Sequence, residues 1–327
     1  MEESYVFPDR SRLNALDTTI EYICRCYDRL GMEGAGHTVI VENGSSEGTL
    51  ERMRLRFGEP EELQIPEIPV ALYLYRNAEQ QICYCNSGAN LGYAKGNNLG
   101  VNIAQAMWHD FGYIISNNDL VFEKDLDMKY INNLFHQNPA IGIVGPKVIT
   151  PAGEIQSPRV WQSPLRRLFV TYWVEMLGSV LPKKAYSRLW RKCCFDTDVH
   201  AESGPCDWLM GCFFFARADM FHKAGLFDEH TFLYAEEMIL SKRLEAVGAY
   251  PYFCAEQEII HNHGQTTRSA ISAIRVKELD LNANCYFYET YWGCGKFTIL
   301  AAKLNFKVYK AVFMLWQKVK SHLKRKS

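Results

Sequence analysis

The chain reads as an α/β protein, a mostly parallel central sheet with helices on both faces, and three observations predict it. Through the first 150 residues, short apolar, β-favouring stretches alternate with stretches of helical period, the pattern of strands buried beneath helices. One strand-like stretch, Gln81 to Cys85, leads into a glycine- and asparagine-rich run from Asn90 to Gly100, and a helix-compatible stretch, Val101 to Trp108, follows. A third, Tyr113 to Ser116, runs straight into Asn117-Asn118-Asp119. An acid at the carboxyl end of a buried strand lies where open α/β sheets bind ligands.

The elements follow in order. Ser4 to Phe7 is a short first strand, and Leu13, Leu16, Ile20, Ile23, Tyr27 and Leu30 fall at helical spacing up to Gly31. Thr38 to Val41 is the second strand, Gly44 to Gly48 a turn and Thr49 to Phe57 a short helix. Proline and glutamate from Gly58 to Pro69 mark a loop. After the glycine run and the Asn-Asn-Asp strand come a helix from about Asp125 to Gln137 and an apolar strand, Ile141 to Ile149, interrupted at Gly145-Pro146. Beyond Pro151 the alternation breaks: Pro158, Pro164 and Pro182 punctuate aromatic and basic segments that form an excursion. It lies near an acceptor or at a membrane-facing surface, or is a plain helical insertion.

The chemistry-bearing residues cluster in six places. In the glycine run, Gly92, Gly96 and Gly100 let backbone approach a ligand, and Asn90, Asn97 and Asn98 carry donors and acceptors. A loop of this kind feeding a helix start suits a phosphate-bearing ligand, and a plain loop with a capped helix explains it as well. At Asn117 to Asp119, hard oxygen ligands suit Mg²⁺ or Mn²⁺ held against a diphosphate, and Asn-Asn-Asp equally suits a turn. Further on come Asp207-Trp208-Leu209-Met210-Gly211-Cys212, then Gly225-Leu226-Phe227-Asp228-Glu229, then Tyr234-Ala235-Glu236-Glu237 opening a helix. Acids at a helix N-terminus are favoured electrostatically whatever their role. His261-Asn262-His263-Gly264 follows the last strand-like stretch. Neutral imidazole can join a metal site and imidazolium can hold a diphosphate.

In order and spacing these segments resemble the inverting GT-A glycosyltransferases of the large second family, closest to the rhamnosyl- and galactofuranosyl-type enzymes of bacterial surface polysaccharide synthesis. The family pattern is a strand ending in Asp-Asn-Gly-Ser, an Asn-x-Gly-aromatic-x-x-Gly-Asn-Asn-x-Gly loop, and a strand ending in a variant of Asp-x-Asp. Here Val39 to Ser46 supplies the first with Glu42 in place of Asp, Asn90 to Gly100 the second, and Asn117 to Asp119 the third with Asn117 in place of the leading acid. The resemblance covers roughly residues 4 to 270. It implies a GT-A fold with a Rossmann-like sheet, a nucleotide-diphosphate sugar as donor (dTDP-rhamnose, UDP-galactofuranose or another UDP-hexose) and a glycan or lipid-linked glycan as acceptor.

It also implies roles for single residues. Glu42 would accept the imide N–H of the donor's base, with Asn43 beside it and Pro8 to Arg10 flanking the nucleoside. Asn90, Gly92, Gly96, Asn97 and Asn118 would shape the diphosphate cradle, and Lys95 would add charge. Asp119 would hold the divalent ion, with Asn117, His261 and His263 as further candidates. Trp208, Gly211, Cys212 and Tyr234 would line the acceptor side. Glu237, or its neighbour Glu236, would be the general base, both standing where the family has Glu-Asp. A nucleotidyltransferase on a similar sheet and a non-catalytic module binding nucleotide sugar or glycan are the alternatives. Against the first, Pro8-Asp9-Arg10-Ser11-Arg12 lacks the glycines that class would want.

Composition sets the outer bounds. The chain has 327 residues, 48% hydrophobic and 22% charged, enough for a large core. A net charge of -1 gives no global pull toward nucleic acid or membrane. Eleven cysteines without a Cys-x-x-Cys argue for reduced buried thiols rather than disulfides or zinc. Met1 is followed by Glu2 and Glu3 with no early apolar run, so a cytoplasmic location is expected.

The expected organisation is a catalytic domain over 1–270, made of a nucleotide-sugar half (1–150), a helical excursion (151–205) and an acceptor half (206–270), followed by a tail over 271–327. From Lys296 onward the tail has no acid. Phe297, Leu300, Leu304, Val308, Val312, Leu315, Val319 and Leu323 fall at helical spacing, with Lys303, Lys307 and Lys310 largely off that stripe. Such a basic amphipathic helix suits an anionic membrane surface, its own catalytic domain or a second subunit.

Overall fold

The structure is a computed structural model that describes residues 3–9, 36–44, 48–76, 80–109, 111–124, 126–262 and 273–324. The helix expected over 13–30, and the candidates Arg10 and His263, lie outside the described residues. In chain order the elements begin with β1 (Glu3–Asp9), β2 (Gly36–Glu42), α1 (Thr49–Phe57), β3 (Glu61–Leu63), β4 (Leu72–Arg76) and β5 (Gln80–Asn86). Next come α2 (Tyr93–Met107), β6 (Gly112–Ser116), β7 (Leu120–Val121), α3 (Met128–Gln137) and β8 (Ile141–Ile149). A π-helical turn (Arg166–Val170), α4 (Thr171–Leu177), α5 (Lys183–Cys193), β9 (Gly204–Pro205), β10 (Phe213–Arg217) and α6 (Ala218–Lys223) follow. The last are α7 (Glu236–Ala246), β11 (Tyr250–His261), α8 (Ala273–Thr290) and α9 (Lys296–Lys324).

The chain divides into two compact units, residues 1–160 with 197–270, and 161–196 with 271–327. The first holds one sheet in the order β3-β4-β5-β2-β1-β6-β10-β8-β11-β7, with β9 paired to β11. Its centre, β5-β2-β1-β6, is parallel, and β8 pairs parallel with β11. Antiparallel strands flank these: β10 between β6 and β8, and β4 beyond β5. Successive side chains of a strand point to opposite faces, and both faces are buried. Ile40, Ile114 and Phe215 join Met53 of α1 and Ile131 and Phe135 of α3 in one core. Val39, Val41, Ile115 and Phe214 join Val101 and Ala104 of α2, Phe221 of α6 and Leu244 of α7 in the other. The nine cysteines among the described residues are free thiols, and burial pushes Cys83, inside the second core, up to about 12.

Three local expectations change. Residues 58–69 contain a short edge strand, β3, which pairs with β4, and β4 itself lies between the expected loop and β5. Strand β8 runs unbroken through Gly145-Pro146, where the missing side chain makes room for Leu209: a Cβ on Gly145 would stand 2.8 Å from its Cδ1. The glycine run is mostly helix, because α2 begins at Tyr93.

The second unit is helical and built around a buried polar knot. Arg167 donates to Asp280 Oδ1 at 2.8 Å and to Asn284 Oδ1 at 3.0 Å, and Tyr172 donates to Asp280 Oδ2 at 2.8 Å. Breaking one member of such a knot leaves a buried charge uncompensated, which is costly. These bonds join the middle of the expected 151–205 excursion to the expected tail. In α9 the packed side chains are Ile299, Ala302, Phe306 and Tyr309, with Tyr172 edge-on to Phe306 at 5.1 Å. The stripe read from the sequence, Phe297, Leu300, Leu304, Val308, Val312 and Leu315, is exposed. Aromatic bulk, rather than aliphatic periodicity, selected the buried face.

Candidate active site

The site is assembled at the carboxyl ends of the central parallel strands, all within the first unit. Strand β2 ends in Glu42, and Asn43 follows it. The Asn43 amide spans the glycine run: its Oδ1 accepts from Leu91 N at 2.7 Å and its Nδ2 donates to Gly92 O at 2.9 Å. Asn90 Oδ1 accepts from Gly92 N at 3.0 Å, a local turn that asparagine favours. Gly92 has φ 83°, and a Cβ there would overlap the Phe232 carbonyl. That carbonyl accepts from Tyr93 N at 3.0 Å. A Cβ at Gly96 would meet Asn43 Nδ2 at 2.9 Å. Both glycines therefore allow close approach between segments of this chain, and the N-terminus of α2 is thereby presented beside the end of β2.

Within α2, the two successive asparagines differ. Asn98 reaches across to the acceptor-side block: its Nδ2 donates to Phe227 O and Glu229 Oε1, both at 2.9 Å, and its Oδ1 accepts from Phe227 N at 3.1 Å. Asn97 is fully buried, its Nδ2 donating to Tyr93 O at 3.0 Å, while its Oδ1 has no partner among the described residues. Lys95 is exposed on the same helix.

Glu42 does not present an open carboxylate. It is 1% exposed and accepts from Thr49 Oγ1 at 2.9 Å, from Asn86 Nδ2 at 3.3 Å and from the Tyr84 hydroxyl. The expected acceptor for a base N–H is thus turned inward, where three donors satisfy it. Pro8 lies in β1 opposite Val41 in register.

Beyond β6, Asn117 N donates to Cys212 O at 2.8 Å, and Asn118 and Asp119 are half-buried. Asp119 Oδ1 stands 3.2 Å from His261 Nε2. Antiparallel pairing fixes that meeting, with Leu120 opposite His261 and Asn262 N donating to Asp119 O at 2.9 Å. Residues 142 apart in sequence thus form one carboxylate–imidazole pair.

Glu237 is the neighbouring acid. Gly211 N donates to its Oε1 at 3.1 Å, and a Cβ at Gly211 would stand 2.7 Å from that oxygen. The Tyr93 hydroxyl donates to Gly211 O, so the start of α2 and the glutamate share one backbone turn. Cys212 is next in line: burial first, then the carboxylates of Asp119 and Glu237, push its thiol well above the usual range. Glu236 is 3% exposed and points into the fold; Glu237 is half-buried. Tyr234 and Ala235, which lead into α7, have φ of 77° and 66°. Left-handed values at residues with side chains cost about 1–3 kcal/mol each and collect at functional sites. Trp208 lies three residues before Gly211 with Arg159 5.6 Å over its ring, and its buried Nε1 has no partner among the described residues.

Most sequence candidates are therefore brought together: Asn43, Asn90, Gly92, Gly96 and Asn97 at the start of α2, and Asp119, His261, Gly211, Cys212 and Glu237 around one turn. Tyr93 and Phe232 were not singled out, and Asn98, read as a donor and acceptor of the glycine run, instead joins α2 to the acceptor-side block. The signal of the first two was weak because Tyr93 stood for the aromatic of a loop pattern, and Phe232 acts through its carbonyl.

A divalent ion fits this donor set. Asp119 and His261 offer one hard oxygen and one imidazole nitrogen, and no cluster of three or more acidic, histidine or cysteine ligands occurs among the described residues. One or two protein ligands completed by diphosphate oxygens is how Mg²⁺ is commonly held.

No family model matches the chain. Over 245 residues, 73% of this chain and 70% of the relative, it is 24% identical to the N-acetylglucosaminyl-diphospho-decaprenol L-rhamnosyltransferase of Mycobacterium tuberculosis, in two strains. A crystal structure of GalNAc-T7 with UDP, GalNAc and Mn²⁺ shares the fold across 89% of this chain, with a TM-score of 0.52 and 13% identity. The chain spans 48%, about half, of that protein's length. The GT-A architecture expected from the motifs is the one observed.

Proposed function

We propose that this rhamnosyltransferase-like GT-A glycosyltransferase moves a sugar, with inversion, from a nucleotide-diphosphate donor to a hydroxyl of a lipid-linked glycan in surface polysaccharide synthesis. The donor is dTDP-rhamnose or a UDP-hexose. The observation that carries the reading is the Gly211–Cys212 turn: Gly211 N holds Glu237, and Cys212 O accepts from Asn117 N, two residues before the Asp119 that pairs with His261. Inverting transfer needs a base for the acceptor hydroxyl and a site for the ion that meets the diphosphate, and the residues joined through this turn supply a candidate for each.

In this reading the donor diphosphate lies at the N-terminus of α2, whose backbone dipole favours anions. Asp119 and His261 would hold Mg²⁺ or Mn²⁺, which would supply positive charge to neutralise the leaving diphosphate. Glu237 removes the proton of the acceptor hydroxyl as its oxygen bonds to the anomeric carbon. The bond from that carbon to the diphosphate oxygen breaks in the same displacement, and the nucleoside diphosphate leaves. A sugar hydroxyl is a weak nucleophile until its proton is being taken, so placement of the base decides the rate. The exposure of Glu237 and its bond to Gly211 N favour it over the inward-facing Glu236. Glu42 belongs to the floor of the donor site, holding the end of β2 through Thr49, Tyr84 and Asn86. The name of the mycobacterial relative, an N-acetylglucosaminyl-diphospho-decaprenol L-rhamnosyltransferase, supports a polyprenyl-diphosphate-linked acceptor.

Nucleotide release from a panel of dTDP-, UDP- and GDP-sugars tests this, with Mn²⁺, Mg²⁺ or EDTA and an acceptor glycan. Metal-dependent release from one donor is expected, lost in Asp119→Ala and reduced about 10²- to 10⁴-fold in Glu237→Gln. Nucleotide binding should survive in Glu237→Gln. Binding without turnover in any condition would instead identify a nucleotide-sugar binding module.

A further inference from the structure

The net charge of -1 conceals a strong separation. The helical unit, 161–196 with 271–327, carries eighteen Lys and Arg against five Asp and Glu, a balance of +13. The sheet-bearing unit carries eighteen against thirty-two, a balance of -14. Nothing in the proposed chemistry uses the basic side.

That charge coincides with exposed apolar surface. Around α9, the buried Ile299, Ala302, Phe306 and Tyr309 occupy one side. At 3.6 residues per turn, the opposite half holds Phe297, Leu300, Leu304, Val308 and Leu315, which are 88%, 55%, 52%, 57% and 64% exposed. Lys303 and Lys307 are exposed along one border of this stripe. The same unit contributes α5, which buries no residue and carries Lys183, Lys184, Arg188, Arg191 and Lys192. The turn before it exposes Val180 at 58% and is tied to α9 by Trp316 Nε1 donating to Ser179 Oγ at 3.1 Å. No described helix is long and apolar enough to cross a membrane.

We infer that the helical unit docks on an anionic lipid surface, with the Phe297–Leu315 stripe of α9 lying in the interface and its lysines, together with α5, meeting the headgroups. A protein partner would need only the stripe, and a nucleic acid only the charge. The two together, on a helix already anchored by its other face, fit a membrane interface. The inference stands apart from the transfer chemistry, since docking requires neither donor nor turnover.

Co-sedimentation of the full chain with vesicles of phosphatidylglycerol and phosphatidylcholine, against pure phosphatidylcholine, tests it. Binding should require the anionic lipid and fall as salt is raised, because surface charge attraction is screened. Lys303→Gln with Lys307→Gln should weaken it about 25-fold, at about fivefold per lysine. Leu300→Gln with Leu304→Gln should abolish it, and Leu55→Gln, an exposed leucine of the sheet-bearing unit, should leave it unchanged. These five positions are exposed, so the variants fold as the parent does, which circular dichroism checks. The inference is overturned by absent vesicle binding, by binding insensitive to the leucine pair, by a dimer that the leucine pair dissolves, or by duplex DNA outcompeting the vesicles. Donor-sugar hydrolysis in solution, measured on the same samples, separates a failure of docking from a failure of the transferase reading.

Discussion

Gly211 is the residue on which the proposed catalytic geometry turns, though it contributes no side chain. Its N–H holds Glu237 Oε1 at 3.1 Å, and its carbonyl accepts from Tyr93. Gly211→Ala places a methyl group 2.7 Å from that carboxylate oxygen and 3.0 Å from the Tyr93 hydroxyl, so Glu237 has to move. Misplacing a reacting group by about 1 Å costs about 10²-fold in rate. The expected result is a kcat lower by about that factor with nucleotide affinity unchanged, read from steady-state kinetics beside calorimetric titration. Equal loss of both would show that the glycine serves the donor instead. Glu237, Asp119 and His261 were visible through the order and spacing of their motifs, which resemble those of a known family, since each motif alone also fits a turn, a helix start or a strand end. It could not reveal that Glu42 is sealed by Thr49, Tyr84 and Asn86, since those contacts depend on strand register and on the start of α1.

Asn43 does at the level of elements what Gly211 does for one side chain, joining the end of β2 to the start of α2 through Leu91 N and Gly92 O. It is 4% exposed, so Asn43→Ala leaves a buried donor and a buried acceptor without partners. We expect a loss of about 2 kcal/mol in urea unfolding and a raised donor KM, with kcat less affected. A second expectation concerns α6. Burial lowers the pKa of His222, whose Nε2 lies 2.8 Å from the Tyr113 hydroxyl. With the folded value depressed below 6.5, the unfolded chain binds the proton more readily. The stability present above the unfolded value is therefore lost as pH falls through the folded one. The fall in Tm between about pH 8 and about pH 5 should be smaller in His222→Gln than in the parent. At this scale the core strands were readable because they are continuous apolar runs. The start of α2 was not, because Gly92, Gly96 and Gly100 are poor helix formers, and the place of the first two is set by close approach of Phe232 and Asn43.

At the scale of the whole chain, the parallel centre of the sheet was legible from the alternation of strand and helix. The grouping of 161–196 with 271–327 was not, because the Arg167, Tyr172, Asp280 and Asn284 knot joins residues more than a hundred apart. The tail shows why periodicity alone misleads: two apolar faces share α9, and aromatic packing against Tyr172 and Trp173 decides which is buried. The face left over predicts a division of labour between the units. If it serves to bring the enzyme to a lipid-linked acceptor, Leu300→Gln with Leu304→Gln should leave metal-dependent donor hydrolysis and transfer to a soluble acceptor fragment within about twofold of the parent. Transfer to the same acceptor embedded in phosphatidylglycerol vesicles should drop by about tenfold or more, because the docked fraction sets the local concentration of enzyme and substrate. Raising salt should weaken the parent in the vesicle assay and leave the soluble assay nearly unchanged. Equal losses in both assays would mean that α9 supports the catalytic fold, and its exposed stripe would need another occupant.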